Sequence, residues 1–126
     1  MSDINVEGTE LTAEQKAKQL PVPAGYRLLC MVPQVEDKFA SGIVKPESMV
    51  KTEEHSTVVL FVVELGPDAY ADKTRFTHGP WCKKGDFVLT RAYAGTRFKI
   101  HGQEFRLINE DSVEAVVEDP RGYTRA

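Results

Sequence analysis

The sequence predicts an all-β domain built as a small barrel or sandwich. Its apolar runs are short and rich in β-branched and aromatic residues, and they are separated by Gly, Pro and Asp turn signals. No segment keeps a convincing 3.6-residue period, except weakly near the N-terminus. The 126 residues fit one domain, and a hydrophobic fraction of 41% is enough for a core. A chain of this length buries only about two-thirds of its unfolded surface, so a small barrel gains from neighbours.

Residues 1–25 read as an arm, 26–119 as the packed domain and 120–126 as a short polar tail. In the arm, Thr12 is placed to cap a short helix that Pro21 would end, and its apolar stripe is thin. Pro21-Val22-Pro23-Ala24-Gly25 reads as an extended linker. Residues 26–32 are apolar with Arg27 inserted, and Pro33 stops that strand. Residues 57–65 (Thr-Val-Val-Leu-Phe-Val-Val-Glu-Leu) form a β-branched run closed by Gly66-Pro67. Phe87-Val88-Leu89-Thr90 follows a turn at Lys84-Gly85-Asp86. Phe98-Lys99-Ile100 and Phe105-Arg106-Leu107 alternate strictly about His101-Gly102-Gln103, a hairpin pattern. Residues 113–118 predict a last short strand.

Two stretches fit no strand. Residues 34–56 hold four glutamates, an aspartate, three lysines and a proline around the small apolar island Gly42-Ile43-Val44. A loop of this length inside a compact domain is usually functional or disordered. Residues 66–84 carry Tyr70, Phe76 and Trp81 among polar residues, and an extra hairpin is expected there.

Little in the sequence points to catalysis. His55, His78 and His101 lie far apart in predicted turns and read as solvated. No H-x-x-x-H or C-x-x-C spacing marks a metal site, and G-x-S-x-G, G-x-G-x-x-G and P-loop motifs are missing. Glu53-Glu54 and Glu110-Asp111 sit in polar segments and read as solvated faces, where a shifted pKa is hard to sustain. Cys30 and Cys82 read as buried free thiols of a reducing compartment. A net charge of -3 with scattered cations argues against nucleic acid as the main partner. Residues 1–19 are polar and charged, and no apolar stretch approaches the roughly 18 residues of a membrane span. A cytoplasmic protein with no membrane partner is expected.

The order of several short motifs resembles the GroES co-chaperonin family. Lys83-Lys84-Gly85-Asp86-Phe87-Val88-Leu89 resembles its K-x-G-D and following strand, and Tyr93 falls where the family has Y-G. Lys99-Ile100 and Leu107-Ile108 fall at its final hairpin. Residues 110–118 resemble its closing E-x-D-I-L-A-I-V-E. Arg27-Leu28-Leu29-Cys30-Met31-Val32 resembles its first strand, and Ser41-Gly42-Ile43-Val44-Lys45-Pro46 resembles the mobile-loop core G-G-I-x-L-P. The likeness covers about residues 23–119. The sequence departs from the pattern at Ser41, at Lys45, in 66–84, which lacks a glycine-centred hairpin turn, and in the arm. These departures suggest a divergent member, such as one encoded by a virus that infects bacteria.

The resemblance implies an irregular small β-barrel with a long mobile loop (34–56), a roof-type hairpin (66–84) and, in this chain, an added N-terminal arm. It implies a homo-oligomer, a heptameric dome whose first and last strands pair between neighbours, with Leu28, Cys30, Val32, Val113 and Val116 at the contact. Gly42, Ile43, Val44 and Lys45 would bind a large GroEL-like chaperonin ring and help close a chamber around unfolded protein substrates. Tyr70, with Phe76 and Trp81, would belong to the roof, or else form an ordinary hydrophobic satellite. Tyr93 would face the cavity, although a half-buried barrel aromatic fits it equally. No cofactor is expected in this chain, ATP or ADP acting through the partner. The arm also admits a different reading, a decoration or connector protein of a viral particle built on the same barrel.

Overall fold

A computed structural model describes residues 12–33 and 58–126. The expected loop, with Gly42, Ile43, Val44, Lys45, Glu53, Glu54 and His55, lies outside the described residues, as do residues 1–11.

The fold is all-β. Helix α1 (Ala13–Lys18) precedes strands β1 (Arg27–Met31), β2 (Val59–Leu65), β3 (Phe87–Leu89), β4 (Thr96–Ile100), β5 (Gln103–Asn109) and β6 (Ala115–Val117), with a 3-10 turn at Glu110–Ser112. The strands make one six-stranded sheet in the order β4-β5-β1-β2-β3-β6. Every neighbouring pair is antiparallel. The β-branched run of 57–65 becomes β2, and the alternating runs about His101-Gly102 become the β4–β5 hairpin, both as the sequence predicts.

Register decides which side chains are buried. Leu28 stands opposite Ile108, and Cys30 stands between Arg106 on β5 and Val62 on β2. Leu28, Cys30, Val32, Leu60, Val62, Val88, Ile108 and Val113 form one core cluster with Tyr70, Phe76 and Cys82. A bulge between Leu29 and Cys30 leaves Val63 as the extra residue on β2. On the sheet's opposite face, register aligns Phe98, Phe105, Met31, Phe61, Phe87 and Val117 in a row across all six strands.

Burial and strand pairing locate the residues expected at the subunit contact within the single subunit. β1 is a central strand with both edges hydrogen-bonded to its own sheet. Leu28 and Cys30 are 0% exposed, Val32 is 2% and Val113 is 5%. These four side chains lie in the subunit's own core cluster. Of the five residues expected there, only Val116 on the end strand β6 is exposed.

Residues 66–84 also differ from expectation, forming a compact series of turns with no strand. Tyr70 and Phe76 meet edge to face at 4.9 Å, and Phe76 meets Trp81 edge to face at 5.1 Å. Aromatic pairs favour such geometry, and it draws the segment onto the core instead of extending it outward. Gly66 fixes the entry to this segment, because its N–H donates to Arg27 O at 2.8 Å. A Cβ there would collide with the Gly25 carbonyl oxygen and lie 2.9 Å from that of Arg27.

The arm is partly ordered by local chemistry. Thr12 caps α1 in a reciprocal box with Gln15, accepting from the Gln15 N–H at 3.0 Å while Gln15 Oε1 accepts from the Thr12 N–H at 2.9 Å. Gln19 Oε1 lies 2.6 Å from His101 Nε2 at the tip of the β4–β5 hairpin. At the other end, Gly25 O accepts from Asp68 N at 2.9 Å beside the start of β1. Residues 19–25 therefore run back along the length of the sheet. Pro21 and Pro23 keep this stretch extended without joining a ladder.

Candidate functional site

The described chain stops at Pro33, two residues after β1, and resumes at Val58, one residue before β2. Met31 stands opposite Phe61, so both breaks lie at one end of the sheet, on neighbouring strands. Val32 is held firmly at this end. Its N–H donates to Glu104 O at 3.0 Å, and its carbonyl accepts from Gln103 Nε2 at 2.7 Å. These bonds tie the chain before residue 34 to β5, while residues 34–57, Gly42, Ile43, Val44 and Lys45 among them, lie outside the described ones.

The K-x-G-D motif has a structural role. Gly85, at φ +90, makes the turn, while Asp86 accepts from the Lys83 N–H at 3.0 Å and pairs with Lys83 Nζ at 3.1 Å. Gly85 N donates to Val62 O, and Val62 N donates to Asp86 O, which docks the turn onto β2 and aims β3 into the sheet.

Tyr70 and Tyr93 part company. Tyr70 is 3% exposed and belongs to the core cluster. Its hydroxyl donates to Glu110 O at 2.8 Å, and its N–H donates to Glu110 Oε1 at 2.8 Å. Glu110 also takes Arg75 Nη1 at 3.4 Å, while Arg75 Nη2 reaches Asp111 at 3.1 Å. Glu110 is therefore a buried clamp at 6% exposure and not the solvated carboxylate its sequence context suggests. Its partners lie 35 to 40 residues away, so no local pattern announces it. Tyr93 is half-exposed, in a left-handed backbone at φ +65, with Arg97 over its ring at 5.3 Å.

Cys30 and Cys82 are free and buried. Burial first, then the neighbouring Cys82, pushes the Cys30 thiol up to about 12, against an opposing pull from Arg106. Burial also raises Cys82, and Tyr70 is raised by burial and by its contact with Cys82, whose sulfur is 3.6 Å from the hydroxyl. Such thiols are poor nucleophiles and suit a core. Among the described residues, no group of three or more His, Cys, Asp or Glu is placed to hold a metal ion, and no helix is long and apolar enough to cross a membrane. A polar concavity of about 490 Å³ is lined by Tyr26, Asp68, Asp72, Arg75, Glu110 and Asp111, but Arg75 already engages the last two.

The described residues thus form a small antiparallel sheet in which Glu110, Arg75 and the K-x-G-D turn serve the packing of the fold. Comparison with known proteins gives its family. The family described as Chaperonin 10 Kd subunit matches residues 22–117. The co-chaperonin GroES of Caldicellulosiruptor saccharolyticus is 35% identical over 97 residues, covering 77% of this chain and 96% of that protein. Co-chaperonin GroES of Clostridium beijerinckii is 34% identical over 96 residues, covering 76% and 96%. That of Corynebacterium jeikeium is 31% identical over 96 residues, covering 76% and 92%. The chain belongs to the chaperonin 10 kDa subunit family, which includes the GroES co-chaperonins, as the motif order implies.

Proposed function

We propose that this chain is a co-chaperonin subunit that assembles into a ring, a heptamer, and caps a large ATP-driven GroEL-like chaperonin. The cap closes a chamber around unfolded protein substrates in the cytoplasm, the host's cytoplasm if the chain is viral. The observation that carries this reading is the family match over 22–117, which spans the whole sheet and segment 34–57.

In this reading Gly42, Ile43, Val44 and Lys45 make the contact. Burying Ile43 and Val44 in an apolar groove contributes about 3–6 kcal/mol before ordering costs. Ordering the segment offsets much of that, so one subunit binds weakly and a ring binds tightly through several contacts at once. Lys45 loses burial unless its stem packs and its ammonium stays in water, so the partner groove is altered or Met49-Val50 supplies the missing apolar contact. Nucleotide hydrolysis belongs to the chaperonin, and this chain needs no cofactor of its own. Because Tyr70 and Phe76 tie 66–84 to the subunit core, that segment contributes little roof to the dome.

Size-exclusion chromatography with light scattering, without and with chaperonin and nucleotide, tests the reading. A ring of about seven subunits that joins the chaperonin only with nucleotide supports it. Ile43→Ser should abolish that joining and leave the ring intact. An assembly indifferent to chaperonin and nucleotide would favour a structural protein of a viral particle, with the arm as its assembling part.

A further inference from the structure

The arm reaches the β4–β5 hairpin tip through a polar side-chain contact. Gln19 sits at the C-terminal cap of α1, and its side chain reaches His101 at 2.6 Å. The tip it touches is also the anchor of β1's exit. Gln103, two residues beyond His101, donates from Nε2 to Val32 O at 2.7 Å and to Glu104 O at 3.0 Å. Val32 N in turn donates to Glu104 O at 3.0 Å. A short chain of contacts therefore links Gln19 through the hairpin tip to the last residues before segment 34–57.

We propose that the arm is a positioning strap. Through Gln19 and His101 it steadies the hairpin tip, and so the Gln103 anchor on Val32, fixing the root from which segment 34–57 departs. The consequence for chaperonin binding rests on the co-chaperonin reading above. A fixed root lowers the entropy that segment loses on binding, so the strap strengthens capping without touching the chaperonin. It is an addition to the common domain, because the family match begins at residue 22, beyond Gln19.

The test uses the full chain with three substitutions. Gln19→Leu removes the acceptor, and Gln19→Glu keeps one. His101→Asn tolerates the left-handed backbone at φ +49 but is too short to reach Gln19. Two readouts are taken, amide hydrogen exchange at Val32 and Gln103, and nucleotide-dependent affinity for the chaperonin. Losing one exposed hydrogen bond should speed exchange about two- to tenfold and weaken capping by a similar factor in Gln19→Leu and His101→Asn. Gln19→Glu should stay near the unaltered chain. Unchanged exchange, or changed exchange with unchanged affinity, would overturn the strap. If the unaltered chain binds no chaperonin, the co-chaperonin reading fails, and exchange at Val32 still decides whether the arm holds the root.

Discussion

Arg106 shows how far strand alternation carries at single positions. Phe105-Arg106-Leu107 reads as apolar, polar, apolar, with the arginine turned to water. The structure buries it fully, beside the Cys30 thiol, with its Nε 3.1 Å from the buried carboxylate of Glu104. Both faces of β5 are covered, so alternation separates two interior surfaces and not inside from outside. Glu104 Oε1 has no hydrogen-bond partner among the described residues, so this carboxylate leans on Arg106. Removing one member of a buried pair leaves an uncompensated charge, whereas replacing both with apolar residues of similar volume is often neutral. Arg106→Met should therefore cost about 3–5 kcal/mol in urea unfolding, and the double change Arg106→Met with Glu104→Leu measures how much of that cost lies in the pairing with Glu104, since Arg106 has a further interaction besides it. Equal losses in the single and double variants would mean that the guanidinium has a structural role beyond its pairing with Glu104.

At the scale of elements, segment 66–84 is where sequence reading failed most. Its aromatics are visible in the sequence, and a hairpin is the usual way to place aromatics between two strands. What decides otherwise is long-range. The Gly66 contact with Arg27 O turns the chain at its entry, and Glu110 holds Tyr70 from the far side of the fold. By contrast β2, the β4–β5 hairpin and the Thr12 cap were legible, because propensity, turn chemistry and capping act within a few residues. Glu110→Ala should release the segment selectively. It strands the buried Tyr70 N–H, at a cost of about 1–3 kcal/mol. Trp81 is the chain's one tryptophan and packs edge to face against Phe76, so its fluorescence reports the segment. In Glu110→Ala that signal should melt at a lower temperature than the far-UV circular dichroism of the sheet. Coincident transitions would show that the segment and the sheet unfold as one unit.

At the scale of the whole molecule, motif order in the sequence revealed the family, but not which surfaces meet in an assembly. Being first among the domain's strands does not make β1 an edge. Pairing between residues some 75 positions apart, such as Met31 with Phe105, puts it at the centre. The ends of the order are β4 and β6, each with one neighbour among the described strands. Of the two, β6 carries the larger exposed apolar side chain, Val116 at 50%, and Val22 in the extended linker is 83% exposed. A strand edge with no second neighbour among the described strands, carrying an exposed valine, invites pairing with another copy, and head-to-tail pairing around a closed ring would cover every copy alike. Burying a valine contributes about 1.5–3 kcal/mol per contact, roughly tenfold or more in affinity, and a glutamate in its place forfeits that and adds desolvation. Val116→Glu should therefore give monomers by light scattering at concentrations where the ring proposed above would assemble from the unaltered chain. Its far-UV circular dichroism should stay the same, because the side chain is half in water already. A ring that survives this change would move the subunit contact away from β6, toward the β4 edge or the linker around Val22.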